Sequence, residues 1–416
     1  MNENKHKLNI VIVGGGASGV ATAIFAKRKN PNNEVIILEK NDKICKKVLI
    51  SGNGRCNLLN KNLDINKYHT EYFNNTKEII ENVFKKFDNK KILNFFENLG
   101  ILFKEEKDGK FYPITDSANS IVNVLLYELE KLNIKVFLNT AVKDIKKDNN
   151  IFIIKTNNDI FSTDKVVIST GGCAYPQIGT TGDGYIFAER FNHKIIKPFP
   201  SVVPLIIDCK YLKKISGIKF SGNAKIIFNN QIIKENRGDI LFTDYGISGS
   251  AIISISRYAT ELLNKNIKNK LFLSIDFLPN LDEEKLQKHI INIKNINKEK
   301  DIKFLLLGLI NPKLIDYIFL DRVDLNKKLT DLNIGDIKLI VDVLKNTKYK
   351  IIGSKDFHFA QVTAGGINLK EINNNLESKK VNGLFFTGEV LDVDGDCGGF
   401  NLVWAFASGA VVGDSL

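Results

Sequence analysis

Gly14, Gly16 and Gly19, set between an apolar run and a helical pattern, constrain this chain more than any other feature. Residues 8–13 (LNIVIV) show no alternation, as expected of a parallel strand buried on both faces. A helix is expected over Ala17–Lys29 and a second strand over Glu34–Leu38, which makes one strand–helix–strand unit of about 30 residues. Gly14 allows the tight turn, Gly16 lets a pyrophosphate reach the backbone, and Gly19 lets helix and strand pack closely. Gly15, Ala17 and Ser18 fill the rest of the turn, where unpaired N–H groups and a partial positive charge suit an anion. Glu39 stands 20 residues beyond Gly19 and is followed by Lys40. At a strand end its carboxylate can accept from both hydroxyls of an adenosine ribose. The spacing predicts a dinucleotide site.

Three further segments favour FAD over NAD as the bound dinucleotide. In the first, Lys47 precedes Ser51-Gly52-Asn53-Gly54-Arg55-Cys56-Asn57, a polar loop in which Arg55 can offer a forked, charged donor to a phosphate. In the second, a strand near Lys165–Ser169 ends in Thr170-Gly171-Gly172, where the chain can turn beside the adenosine without side-chain bulk. In the third, a strand at Gly383–Phe386 ends in Thr387-Gly388-Glu389, and Asp392, Asp394, Gly395, Gly398, Gly399, Phe400 and Asn401 lead into a helix expected from Leu402 to Val412. FAD is extended, so its ribitol and flavin need contacts remote from the pyrophosphate. An acid at a late strand end and the N-terminus of a last helix can supply them.

The chain has 416 residues, 44% hydrophobic and 25% charged, enough for a sizeable core and more than one domain. Its charge is +12, but only six of 59 basic residues are Arg and the Lys residues are dispersed. A nucleic-acid-reading surface clusters its charge, so a nucleic-acid partner is not expected. Five cysteines without close pairs exclude a short zinc or dithiol motif and indicate reduced thiols in a cytoplasmic protein. Lys5 and Lys7 ahead of Leu8 suggest a signal peptide, but the glycines at 14–19 interrupt the apolar stretch, and no run is long enough for a membrane helix. Prolines at 198, 200 and 204 mark a change to short strands, such as Ala224–Phe228 and Gln231–Ile233 across Asn229-Asn230. Residues 281–347 read as mainly helical. The expected fold is α/β. A Rossmann-type FAD-binding domain split in sequence (1–194 and 361–416) carries a β-rich insert (195–280 and 348–360) with a helical subdomain (281–347).

The set VIVGGGASG, LISGNGRCN, STGGCAYPQIGTTGDG, LFTDYGISG, QVTAGGI, ESK and GLFFTGEVLDVDGDCGGFNLVWAFASG resembles the BaiN-like (YhiN-like) flavoproteins, a family of NAD(P)/FAD-dependent oxidoreductases. The resemblance implies FAD contacts at Gly14, Gly16, Gly19, Glu39, Lys47, Ser51, Gly54, Arg55, Cys56, Asn57, the backbone of Val142, Gly171, Gly172, Glu389, Asp394, Gly399 and Asn401. No motif flags Val142. The resemblance also implies an insert containing a β-barrel, and an activity of the kind best described in the family, reduction of a steroid enone. This chain departs from the family pattern with Asp244 where His is common and Ser250 where Pro is common.

Flavin carries out the redox chemistry, and the protein must place substrate and deliver a proton. Tyr245, Asp244, His358, Cys397 and Cys173 are the candidates for that proton, the first three foremost, with Asp244 also suited to cap a helix near Ile247 and His358 expected on a strand. There is no second complete Gly-x-Gly-x-x-Gly, so NAD(P)H would act as a transient electron donor. The leading expectation is an NAD(P)H-linked reductase of a small, apolar, unsaturated or keto substrate. A flavoenzyme acting on RNA and a non-catalytic flavin binder are the alternatives, and the oligomeric state is open.

Overall fold

The computed structural model describes residues 8–106 and 109–416; Lys5 and Lys7 lie outside them. It divides into two compact units, one running to Pro200 and resuming at Ala360, the other Ser201–Phe359.

The first unit is built on a seven-stranded sheet. β1 (Leu8–Val13) leads through α1 (Ala17–Lys29) to β2 (Val35–Leu38). β3 (Lys135–Phe137), β4 (Val142–Asp148), β5 (Ile151–Thr156) and β6 (Ile160–Ile168) follow, and β7 (Leu384–Phe386) comes only after the second unit. β3, β2, β1, β6 and β7 are parallel neighbours in that order, while β5 and β4 add antiparallel from β6. Val13 stands opposite both Leu38 and Ile168, and Ile168 opposite Phe386. The chain therefore leaves five parallel strands along one carboxyl edge, which is where open α/β sheets bind ligands.

The last helix, α2 (Gly398–Ser415), begins four residues before the expected Leu402. Low helix propensity argues against Gly398 and Gly399, but tertiary packing overrides it. α2 lies along α1 in the same direction, with backbones close: a Cβ on Gly409 would stand 2.3 Å from the Ser18 oxygen, and one on Gly413 2.6 Å from that of Thr22. Only glycine allows that approach.

The second unit holds a closed six-stranded barrel, ordered Leu205–Asp208, Ile247–Ser248, Gln231–Phe242, Lys219–Phe228, Leu271–Asp276, Thr347–Ser354. Asn229 and Asn230 sit at φ 49° and 65° between two of its strands, the geometry of a two-residue hairpin turn that Asn tolerates. Four helices, Glu283–Ile296, Ile302–Leu307, Pro312–Ile318 and Ile334–Asn346, separate the last two barrel strands. Each is capped by the side chain of Asp282, Asp301, Asn311 or Asn333. Residues 195–200 cluster with the first unit, because Ile195–Ser201 pairs with the strand Val362–Ile367.

Two local expectations fail. Asp244 is exposed and caps no helix: the next helix starts at Ser250 on Gly249, after a turn closed by Thr243 and Gly246. His358 lies in an exposed turn rather than a strand, because the Asp356 side chain accepts its N–H and folds the chain locally. Among the described residues no helix is long and apolar enough to cross a membrane.

Candidate functional site

The turn after β1 shows why its glycines differ. Gly14 has φ 104°, and a Cβ there would meet the Ser169 oxygen at 2.6 Å. A Cβ on Gly19 would sit 2.0 Å from the Gly14 oxygen. At Gly16 nothing lies within 4 Å, so the backbone there faces open space. Gly16 is the N-cap of α1, with no side-chain cap and no acid in the first turn, which contains Ala17 and Ser18. A bare N-terminus opening on space fits a pyrophosphate.

Glu39 is buried at the end of β2, where one oxygen accepts the Gly15 N–H at 2.7 Å and the other is held by Asn41 through N–H and Nδ2 at 2.8 and 2.7 Å. Thr140 donates its N–H to the Glu39 carbonyl at 2.8 Å, so the approach to Val142 at the start of β4 lies beside the expected adenosine. The periodicity did not mark β4 as a strand, and Val142 was reached by resemblance alone. Lys40 reaches Thr181 and Asp183, each at 2.6 Å.

The second carboxylate of the edge is Glu389. It joins four segments: Lys47 Nζ lies 2.6 Å from Oε2, Gly172 donates its N–H at 3.3 Å to the same oxygen, and Thr363 donates to Oε1 at 2.8 Å. Gly388, at φ 76°, brings this turn against Ser18: a Cβ would meet the Ser18 hydroxyl at 2.6 Å. Gly171 has φ 72°, and Glu389 Oε2 lies 3.8 Å from where its Cβ would be. Asp394 is buried on the way to α2, whose first residues are Gly398, Gly399 and Phe400.

Gly52, Asn53 and Gly54 all have positive φ, a run that only Gly and Asn adopt readily, and Ser51 donates to the Val48 oxygen at 2.7 Å. Arg55 departs from its expected role. Its guanidinium is bound to Glu106 and Asp116 and lies 4.1 Å over the Tyr112 ring, so two carboxylates already answer its charge. Those hydrogen bonds, Glu106 first, hold the guanidinium above its ordinary pKa. Cys56 is buried and its thiol is pushed up to about 12 by burial; Cys45, under the same turn, is pushed to about 12 by burial and then by Glu39. Neither is a nucleophile at neutral pH. All five cysteines are free, Cys56 and Cys397 included.

The far end of the site is the N-terminus of α2. Cys397 is its N-cap with no side-chain cap, no acid lies in the first turn, and nothing comes within 4 Å of a Cβ on Gly398. Asn57 faces Gly399, with Nδ2 3.1 Å from the Cβ position, and its Oδ1 is buried without a partner among the described residues. Thr170 Oγ1 and Thr387 Oγ1, at two ends of the parallel strands, are likewise buried and unpartnered. Buried polar atoms are seldom left so unless a ligand completes them. From the Ser18–Gly409 contact to Gly398 is eleven residues of α2, about 16 Å at 1.5 Å per residue. Two bare helix N-termini thus point the same way, offset by that rise along their shared direction, as two ends of an extended dinucleotide require. The residues fit FAD.

Tyr245, Asp244 and His358 belong to the second unit. Tyr245 is half-buried, with Lys355 Nζ 4.6 Å over its ring and Phe359 at 6.5 Å; His358 Nδ1 is 3.4 Å from Asp356. Sequence reasoning missed Thr363, whose Oγ1 accepts the N–H groups of Cys173 and Ala174 at 2.8 and 2.9 Å, and the strand Tyr68–His69 below α2. Thr363 stands within QVTAGGI, where nothing assigned it a role, and no motif contained Tyr68–His69.

Fold and edge together define a Rossmann-type flavoprotein of the oxidoreductase class. More particularly, the chain belongs to the family of HI0933-like proteins, whose Rossmann-domain model matches residues 8–415, and the resemblance read from the motifs holds. It is 33% identical over 406 residues to the 3-dehydro-bile acid delta(4,6)-reductase of Clostridium scindens, covering 97% of this chain and 98% of that protein. It is 28% identical over 407 residues to the ribosomal RNA dihydrouridine synthase of Haemophilus influenzae, covering 96% of each. In fold it is similar to 3-ketosteroid delta1-dehydrogenase from Sterolibacterium denitrificans, with TM-score 0.53, 12% identity and 99% of each chain covered.

Proposed function

We propose that this protein reduces a carbon–carbon double bond conjugated to a carbonyl, in a small apolar substrate, using FAD reduced by transient NAD(P)H. The observation that carries the reading is the pair of bare, staggered helix N-termini at Gly16 and Gly398. Bound FAD would supply hydride chemistry at flavin N5. The chain's own residues do the rest. The first turn of α1 holds the pyrophosphate, and Glu39 the adenosine ribose, with Lys40 and Val142 on its flank. Glu389, set by Lys47 and the Gly172 N–H, holds the ribitol, beside Thr170, Gly171 and Gly388. Ser51–Asn57, Asp394 and Gly398–Asn401 enclose the flavin half, where the α2 N-terminus favours negative charge on the pyrimidine edge. Tyr245, an O–H donor, is our first choice for the proton, ahead of Asp244 and His358.

The relatives' names share one chemistry. A 3-keto steroid with double bonds at 4 and 6 is a conjugated enone, and the C5=C6 double bond reduced to a single bond when uridine becomes dihydrouridine is conjugated to a carbonyl. The second reading is therefore a uracil base in RNA. It is favoured by the full-length match to a ribosomal RNA enzyme and by the +12 charge, and the expectation against a nucleic-acid partner has no support.

The test is anaerobic rapid mixing of the flavin-loaded protein with NADH and with NADPH, then with a panel of 3-keto-4-ene and 4,6-diene steroids or with unmodified ribosomal RNA. Reoxidation by enones with little salt dependence supports the first reading. Reoxidation by RNA alone, falling steeply as salt rises, replaces it with the second. No reduction by either nucleotide removes NAD(P)H.

A further inference from the structure

The residues just before α2 have no side-chain cap to orient the helix, so its direction is set by whatever grips them. That grip comes from residues 67–69. Tyr68 and His69 pair antiparallel with Asp394–Gly395, and Asp396 donates its N–H to the Lys67 oxygen at 3.1 Å. His69 Nε2–H donates to Asp396 Oδ1 at 2.7 Å, with both side chains largely buried. Tyr68 is fully buried; its hydroxyl donates to the Phe400 oxygen at 2.9 Å and its ring meets the Phe400 ring edge-on at 5.8 Å. From inside the turn, Asn401 Oδ1 accepts the Gly395 N–H at 3.0 Å, while its Nδ2 donates to the oxygens of Gly395 and Cys397 at 3.0 and 2.8 Å. Gly395 cannot move inward, since a Cβ there would already be 2.5 Å from that of Phe400. The turn 394–397 is thus held on both sides, and Gly398 emerges from it in one direction.

A helix N-terminus acts on a neighbouring charge through its first turn only, so a change of aim is felt at once. We infer that Tyr68 and His69 are positioning residues that aim the α2 N-terminus at the pyrimidine edge of the flavin, and so set how strongly the protein favours negative charge there. This rests on the FAD assignment above. Neither residue need touch the cofactor; both act through 394–400.

The experiment uses the full, FAD-loaded chain and the variants His69→Ala, His69→Gln and Tyr68→Phe. Sulfite is one probe: its sulfur lone pair forms a bond to flavin N5, and the N5–C4a π pair moves to the N1–C2 carbonyl edge, so its affinity reports on stabilisation of charge there. The two-electron midpoint potential is the second readout, and ADP binding to the flavin-free chain reports separately on the Gly14–Gly19 end. His69→Ala and Tyr68→Phe are expected to weaken sulfite binding roughly tenfold. The potential is expected to fall by about 30 mV for that factor, while ADP binding stays unchanged. His69→Gln, which restores a donor to Asp396, recovers most of the loss. Should His69→Ala fail to fold, Tyr68→Phe decides, because it keeps the ring and removes only the hydroxyl. Unchanged sulfite affinity and potential in a flavin-loaded Tyr68→Phe overturn the inference alone; a wild-type chain that takes up no flavin overturns the FAD assignment.

Discussion

Gly16 and Gly19 lie three residues apart and do opposite work. A methyl on Gly19 would collide with a backbone oxygen, whereas Gly16, at φ −78° and ψ −174°, is in a conformation open to any residue and faces empty space. Gly19→Ala is therefore expected to cost about 1–3 kcal/mol of stability, read as a lower Tm of the flavin-free protein. Gly16→Val should leave that Tm within about 1 °C yet weaken FAD binding at least roughly tenfold, by filling the anion cradle and nothing else. A Gly16→Val protein that binds FAD normally would remove the pyrophosphate from α1. The roles of both glycines were legible in the sequence, because chemistry and spacing coincide at them. Arg55 was not: a forked donor in a polar loop suits a phosphate, but Glu106 and Asp116 come from distant sequence positions and claim it.

At the scale of elements, the return of the chain to β7 depends on a buried cluster around His193. Ser378 Oγ accepts the N–H groups of Lys380 and Val381 at 3.0 and 2.9 Å, so its own proton goes to His193 Nε2 at 2.8 Å. His193 Nδ1–H then donates to Glu371 at 3.1 Å, and the ring packs edge-on to Phe386 of β7 at 5.0 Å. The neutral ring is fully satisfied. Burial lowers the pKa of His193, against an opposing pull from Glu371. With the folded value depressed, the unfolded chain takes up a proton that the folded one resists, so stability is whole above about 6.5 and is lost as pH falls below it. Denaturant unfolding across that range should show a steeper loss for the wild type than for His193→Gln; parallel curves would refute a neutral His193. The start of α2 at Gly398 belongs to the same scale. Propensity placed it at Leu402, and the packing of 394–401 against Tyr68 moved it forward.

For the whole molecule, the two units differ in continuity. Ser201–Phe359 is one stretch with a closed barrel and a core of its own, whereas the first unit needs β7 and α2 from after residue 360 to complete its sheet and cover α1. A fragment of residues 201–359 is expected to unfold in one cooperative transition by circular dichroism, and a fragment ending at Pro200 to show none. Charge is also uneven: residues 201–359 carry 26 basic and 18 acidic side chains, against 33 and 29 in the rest of the chain. If RNA is the substrate, the second unit alone should retain most of the salt-dependent RNA affinity.

By itself the sequence determined the strand–glycine–helix unit, the acid at position 39, the late return of the chain and the family. Each is a local pattern whose meaning does not depend on what packs against it. Tertiary structure alone decided that Lys47, Gly172 and Thr363 converge on Glu389, that Arg55 is neutralised, and that Tyr68 and His69 aim the last helix. Those partners lie tens to hundreds of residues apart, and no local periodicity encodes which of many polar side chains will meet when the sheet closes.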